Sequence, residues 1–323
     1  MQCKATVSMF LILAGLALPA LAAPTRMQAI VQTGVDLQLQ TVDTPRPGAG
    51  QVLIRVYAAG VNPVDWKRKA QTPGFDAAGV IDSVGSDVTG WKVGDAVVAR
   101  VNAGYAEYAV ALADETIRKP ASLTFEQAGG IPVAGIAGYR AADAAHIQPG
   151  QRIAIIGAAG GAGSVAVEVA KARGAKIIAS GHSSQQAYLK SLGVDEFVAY
   201  DKENVAARIQ NVDAVLNMVD TQAVPSLGYV RKGGYFTSIA GGPGDDKCAA
   251  AGVTCIIITG AYQALSQGDA LRALAAMADK GQYHVTVSRS FPLAQAAAAQ
   301  ELGRTGDTTG KIVLVVDPKA SQR

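Results

Sequence analysis

At 323 residues the chain has room for about two domains of ordinary size and a sizeable core. Its 49% apolar content and 17% charged content argue against a disordered chain. A formal charge of +3, from dispersed lysines and arginines, argues against nucleic acid or an anionic membrane surface as a partner.

The first unit in chain order is a leader. Lys4 precedes an uncharged stretch whose apolar heart is residues 7–18, followed by Pro19 and the small residues Ala20 and Ala22 around Leu21. This layout predicts a secretory signal peptide over residues 1–22, cut before Ala23. The apolar heart is shorter than the ~20 residues of a membrane span, so no stable anchor is expected after cleavage. A periplasmic or secreted location follows. No twin arginine is present, so export in folded form is not indicated. Loss of Cys3 with the leader leaves Cys248 and Cys255 as an even pair in an oxidising compartment. A disulfide between them and two free cysteines packed as small apolar residues are both open, since Cys255 begins an apolar strand.

From 27 to 133 the pattern is one of short strands, such as 52–58, 78–84, 93–99 and 105–110, broken by Gly60, Gly85, Gly90, Gly94 and Gly104. A small β-barrel-like domain is expected. From 134 to 261 helices alternate with strands at 153–156, 176–179, 196–200, 214–217, 235–240 and 255–259, the signature of a doubly wound parallel sheet. The tail, 262–318, carries helices near 269–280 and 293–302 and a strand at 311–316, and is expected to complete the first domain.

Between the first strand of the second domain and its helix stand Gly157, Gly160, Gly161 and Gly163, with Ala159 and Ala162 among them. Side-chain-free positions permit the sharp turn and let backbone approach a pyrophosphate, whose charge meets the helix N-terminus. Val165, Val169 and Ala172 repeat at helical spacing, and Gly174 supplies the stop.

The chain resembles the medium-chain dehydrogenase/reductase superfamily and, within it, the zinc-free quinone oxidoreductases related to zeta-crystallin. The landmarks are the Gly60-Val61-Asn62-Pro63-Val64-Asp65 segment, PGFDAAGVI at 73–81, WKVGDAV at 91–97, GYAEYAV at 104–110, IPVAGIAGY at 131–139, the glycine run, 232–241 with Ala240, and GKIVL at 310–314. The resemblance implies an α/β fold with a GroES-like β-barrel domain and a Rossmann domain. It implies hydride transfer from a nicotinamide to a quinone or α,β-unsaturated carbonyl, and a homodimer paired through the 255–259 edge. It places Asn62 and Asp65 at the mouth between the domains, Asn62 offering its amide to nicotinamide or substrate. The local alternative makes both residues turn and helix caps. Lys311 either reaches the cleft or lies exposed.

Zinc-dependent relatives carry Cys where Asn62 stands and His where Phe75 stands, and neither residue here ligates zinc. With only His146, His182 and His284 in the chain, a metal-free enzyme is expected. No acid occurs from 181 to 194, which favours NADPH, because a carboxylate would repel the 2′-phosphate. No arginine or lysine stands in the turn after the second strand, so Ser180, Ser183 and Ser184 are left to donate hydrogen bonds or to form a solvated turn. His182 adds charge only when protonated, and by resemblance Tyr200 stands against the adenosine phosphate. Residues 66–72 form a shorter connection than relatives carry, which predicts a more open pocket, with Trp66 or Lys67 taking some of the space. An exported enzyme also lacks a ready NADPH supply. The rival reading is therefore an exported, non-catalytic protein that binds a nucleotide or small ligand.

Overall fold

A computed structural model describes residues 23–68, 70–259, 262 and 264–320. The leader expected at 1–22, with Cys3, lies outside the described residues. In chain order the strands are β1 (Arg26–Thr33), β2 (Asp36–Asp43), β3 (Gln51–Val61), β4 (Asp76–Val84), β5 (Ala96–Arg100), β6 (Tyr108–Leu112) and β7 (Thr116–Arg118). They continue as β8 (Arg152–Ile156), β9 (Lys176–Gly181), β10 (Glu196–Ala199), β11 (Val212–Asn217), β12 (Val230–Ser238), β13 (Thr254–Ile257), β14 (Val287–Pro292) and β15 (Lys311–Val315). The helices that bear on the site are α1 (Val64–Lys67), α2 (Phe125–Gly129), α3 (Pro132–Ala144) and α4 (Gly161–Ala172).

Strands β8 to β13 form one parallel sheet in the order β10-β9-β8-β11-β12-β13. Its inner strands are continuous apolar runs because helices cover both faces. The order reverses between β8 and β11, which opens the crevice where such sheets bind ligands, beyond the carboxyl ends of the strands. The second sheet runs β14-β15-β3-β4-β5-β7, with β6 also on β3, and β1 and β2 form a separate antiparallel pair. This is the GroES-like barrel joined to a Rossmann unit.

Differences from the sequence expectations have local causes. The strand expected at 93–99 starts at Ala96, because Gly94 takes φ +88° and the Lys92 amide donates to Asp95 Oδ2 in a turn. The one expected at 105–110 starts at Tyr108, since Tyr105 and Glu107 bond individually to β1. In the tail, β14 and β15 join the barrel sheet, but the helix Gln267–Asp279 does not. Its Ala270, Leu271 and Leu274 are buried in one core with Ile153, Ile155 and Val165 of the Rossmann unit. That core also takes in Tyr57 and Val98 of the barrel, so the two units share apolar contact.

Two close approaches position α4. Gly174 takes φ +78° and ends it, and a Cβ at Gly138 of α3 would stand 2.3 Å from Ala162 O, so α3 lies directly against the start of α4. At the far edge, Cys248 on the helix Asp245–Ala251 is joined to Cys255 on β13 by a disulfide. Closing so short a loop is worth about 2.5 kcal/mol of unfolded-chain entropy. Thermal melts with and without reductant are expected to separate by that amount, and coincident melts would show the bond absent or strained.

Candidate functional site

The crevice is built from its glycines. Gly157, just after β8, takes φ +75°, and a Cβ there would lie 2.6 Å from the Val219 side chain. Gly160 is the N-cap of the twelve-residue α4 in extended conformation, with no side chain capping the helix, so its first amides face outward. A Cβ at Gly160 would meet nothing nearer than Gly157 O at 3.8 Å, which leaves open space beside the helix start. At Gly163 a Cβ would stand 2.2 Å from Gly157 O, so only glycine lets helix and loop abut. Open space, free amides and the positive end of a helix fit the pyrophosphate of a dinucleotide. Ser180 at the end of β9 and Ala240 just past β12 lie on the same carboxyl edge, and the Ala240 amide donates to Ser238 Oγ at 3.2 Å.

The barrel is tied to this loop by its last strand. Gly310 forms a parallel bridge with Gly160, and its amide donates to Ala159 O at 2.8 Å. The Lys311 stem then crosses Gly161, where a Cβ would stand 2.6 Å from its Cδ, and its ammonium enters the barrel. There Lys311 Nζ donates to Val61 O at 3.0 Å and to Asn62 Oδ1, and lies 4.0 Å from Asp76 Oδ2. Asn62 Nδ2 donates to Asp76 Oδ2 at 2.8 Å, and Asp76 Oδ1 accepts the Val133 amide at 2.7 Å from the start of α3. Asp65 Oδ2 accepts the Asn62 amide at 2.7 Å and the Tyr105 hydroxyl at 2.8 Å, while Asp65 Oδ1 is buried without a partner.

All five side chains of this cluster are buried, which decides their charges. Burial, reinforced by the neighbouring Asp76, pushes the Asp65 carboxyl up to about 7. Burial raises Asp76 against the opposing charge of Lys311, and lowers Lys311 against the pull of Asp76. Burial, then the Asp65 charge, lifts the Tyr105 hydroxyl well above its ordinary value. The cluster thus sets Lys311 against Asp76, each shifted by burial toward its neutral form, beside a second carboxyl that exchanges its proton near neutrality.

Asn62 and Asp65 therefore do not stand at an open mouth. Both amide atoms of Asn62 are engaged inside the protein, because a buried ion pair requires its remaining hydrogen bonds to be satisfied. Nor is Asp65 the helix cap of the alternative reading: Pro63 is the N-cap of α1 with no side-chain cap, and Asp65, inside the helix, accepts the amide of the preceding Asn62. Lys311 is buried rather than exposed. Asp76 and Tyr105 were not singled out from the sequence. The available signal for Asp76 was an acid opening the otherwise apolar run DAAGVI; Tyr105 carries no such mark.

At the adenosine end, the absence of acid from 181 to 194 does not leave the turn free of carboxylate. β10 runs parallel to β9, so the residue just past its end comes beside the end of β9. The Ser183 amide and hydroxyl both donate to Asp201 at 2.8 Å, and His182 Nε2 lies 3.6 Å from Asp201 Oδ2. Ser184 turns inward to His182, its amide donating to Nδ1 at 3.3 Å. Tyr200 is 57% exposed, with its ring 6.0 Å from that of His182.

On the barrel side, Arg68, Ala70, Gln71, Thr72, Phe75, Asn102 and Ala103 line an open cavity of about 370 Å³. It adjoins the buried cluster through Phe75, the neighbour of Asp76, and does not include the glycine loop. Trp66 does not fill this space. It lies inside α1 and packs toward Gly303 against the barrel core, with Arg304 Cζ 5.4 Å over its ring. Among the described residues no group of three or more His, Cys, Asp or Glu could hold a metal ion.

A doubly wound sheet with this glycine loop, joined to a barrel by the strand that carries Lys311, defines a nicotinamide-dependent dehydrogenase/reductase. Residues 48–152 match the alcohol dehydrogenase GroES-like domain, and residues 192–314 match the family described as zinc-binding dehydrogenase. The chain belongs to the medium-chain dehydrogenase/reductase superfamily, in its zeta-crystallin-like quinone oxidoreductase family. It is 30% identical to a quinone oxidoreductase of Pongo abelii, covering 87% of this chain and 94% of that relative. It is 29% identical to a 2-methylene-furan-3-one reductase of Solanum lycopersicum, covering 90% and 79%. The structure of a quinone oxidoreductase from Coxiella burnetii superposes with a TM-score of 0.82 at 28% identity, over 90% of this chain and 99% of that one.

Proposed function

We propose that the protein is a metal-independent reductase that transfers hydride from a reduced nicotinamide dinucleotide to a quinone or an α,β-unsaturated carbonyl. The observation that carries this reading is the single structural unit made by Gly160, Gly310 and Lys311, which couples the dinucleotide loop to a buried acid cluster. A bound dinucleotide supplies the hydride from C4 of its nicotinamide. The chain's part is to bind and to orient. Amides at the α4 N-terminus hold the pyrophosphate, and Lys311 keeps the barrel in register with that loop. The buried Asp65, poised at about 7, sets the charge of the cluster behind the crevice rather than meeting the reactants, and the proton that follows the hydride comes from water. Asn62 orients Asp76 and Lys311 rather than touching the reactants. Metal independence rests on residue type, since Asn62 and Phe75 stand where zinc-dependent relatives place their ligands.

The test follows reduced-nicotinamide absorbance on mixing the protein and cofactor with phenanthrenequinone and with simple enones. Turnover with at least one acceptor, unaffected by a chelator, is expected. Cofactor binding without turnover on any acceptor would return the non-catalytic reading.

Two further parts of the proposal concern location and assembly. Residues 1–22 direct export, a reading supported by the Cys248–Cys255 disulfide, which persists in oxidising compartments. The exported protein should begin at Ala23 by N-terminal sequencing. β13 ends its sheet, so a second copy pairing there gives a homodimer, to be checked by sedimentation.

A further inference from the structure

The adenosine end of the crevice carries a charge that the glycine pattern does not announce. In a doubly wound sheet the adenosine ribose is met at the end of the second strand, about 20 residues beyond the glycines. Here that strand is β9; past its end the His182 amide is taken by Gln185 Oε1 at 3.0 Å, and the next donors are the amide and hydroxyl of Ser183. Both are taken by the carboxylate of Asp201, at 2.8 Å each. Desolvation pushes the Asp201 carboxyl up, but the Ser183 hydroxyl and amide outweigh it and hold it below the usual carboxylate range.

We propose that Asp201 makes this site select NADH over NADPH. The inference rests on the nicotinamide-dependent function proposed above and fixes which dinucleotide serves it. A carboxylate offers about four acceptor positions, of which Ser183 uses two, so a ribose hydroxyl still finds an acceptor. A 2′-phosphate finds the reverse. It has no proton to give, it carries about two negative charges, and the donors it needs are occupied by a like charge.

Of the nearby cations Lys202, next to Asp201, is exposed to solvent, and the others are engaged. Arg208 pairs with Glu203 and with Glu196, the latter at 3.1 Å. Lys190 Nζ donates to the carbonyls of Asp195 and Val194 at 2.7 and 3.3 Å. His182, 3.6 Å from Asp201, faces the same carboxylate and neutralises it only when protonated. The NADPH favoured by the acid-free run 181–194 thus gives way to NADH, because the deciding acid comes from the neighbouring strand.

The experiment titrates the full chain with NADH and with NADPH, following nicotinamide fluorescence, and repeats both titrations on Asp201→Asn and Asp201→Ser. The wild type should bind NADH roughly tenfold or more tightly than NADPH. In the variants the gap should close, with the change falling on NADPH. NADPH bound as tightly as NADH by the wild type overturns the inference, as does an unchanged ratio in whichever variant keeps the native melt. Failure of the wild type to bind either dinucleotide overturns the function proposed above, and this selection with it.

Discussion

Lys311→Met is expected to lower stability by about 3–5 kcal/mol, an apparent melting shift of roughly 10 °C. Methionine keeps the stem that runs between Gly130 and Gly161 and deletes only the ammonium. What remains is a fully buried Asp76 whose nearest cation has gone, together with Val61 O and Asn62 Oδ1, both stripped of a donor. Removing one partner of a buried pair costs more than the pair contributes, because the other charge stays desolvated. The double variant Lys311→Met with Asp76→Asn should recover a large part of the loss, and that coupling separates the charge effect from simple packing damage. Denaturant midpoints for the four proteins give the cycle. Dinucleotide affinity should fall in the single variant as well, since the same residue crosses the glycine loop. A loss below about 1 kcal/mol would mean that the ammonium reaches water in solution.

The contrast between Gly157 and Asp76 explains how far the sequence could be read. The glycine loop, α4 and the parallel strands were legible because each is set by local chemistry: a positive φ, a helical repeat, a continuous apolar run. The junction was not. Lys311 and Asn62 are 249 residues apart and meet only because β15 pairs antiparallel with β3, placing Ile312 opposite Val61. The resemblance places Asn62 at the cleft mouth, whereas its saturation by Asp76 and Lys311 depends on that pairing. Asp201 follows the same rule, since it lies beyond the stretch where the second strand's acid stands in sequence and returns through the β9 and β10 register. Such acids become visible only once neighbouring strands are known.

Asp65→Asn is expected to stabilise the protein above neutral pH and to change little in acid. The folded-state carboxyl titrates at about 7, against an ordinary value of 3.8, so the folded protein holds a proton that the unfolded chain releases. Below the unfolded value both states are protonated and no penalty exists. As pH rises from there to about 7, wild-type stability falls, by on the order of 4 kcal/mol in all, and above that window this contribution is constant. Asparagine keeps an oxygen for the Asn62 amide and the Tyr105 hydroxyl, puts an amide where Asp65 Oδ1 has no partner, and does not titrate. It leaves Asp76 as the one carboxyl facing Lys311. Denaturant midpoints at about pH 5 and pH 8 should therefore differ in the wild type and nearly coincide in the variant. A stability slope that persists unchanged in Asp65→Asn would assign the neutral titration to Asp76.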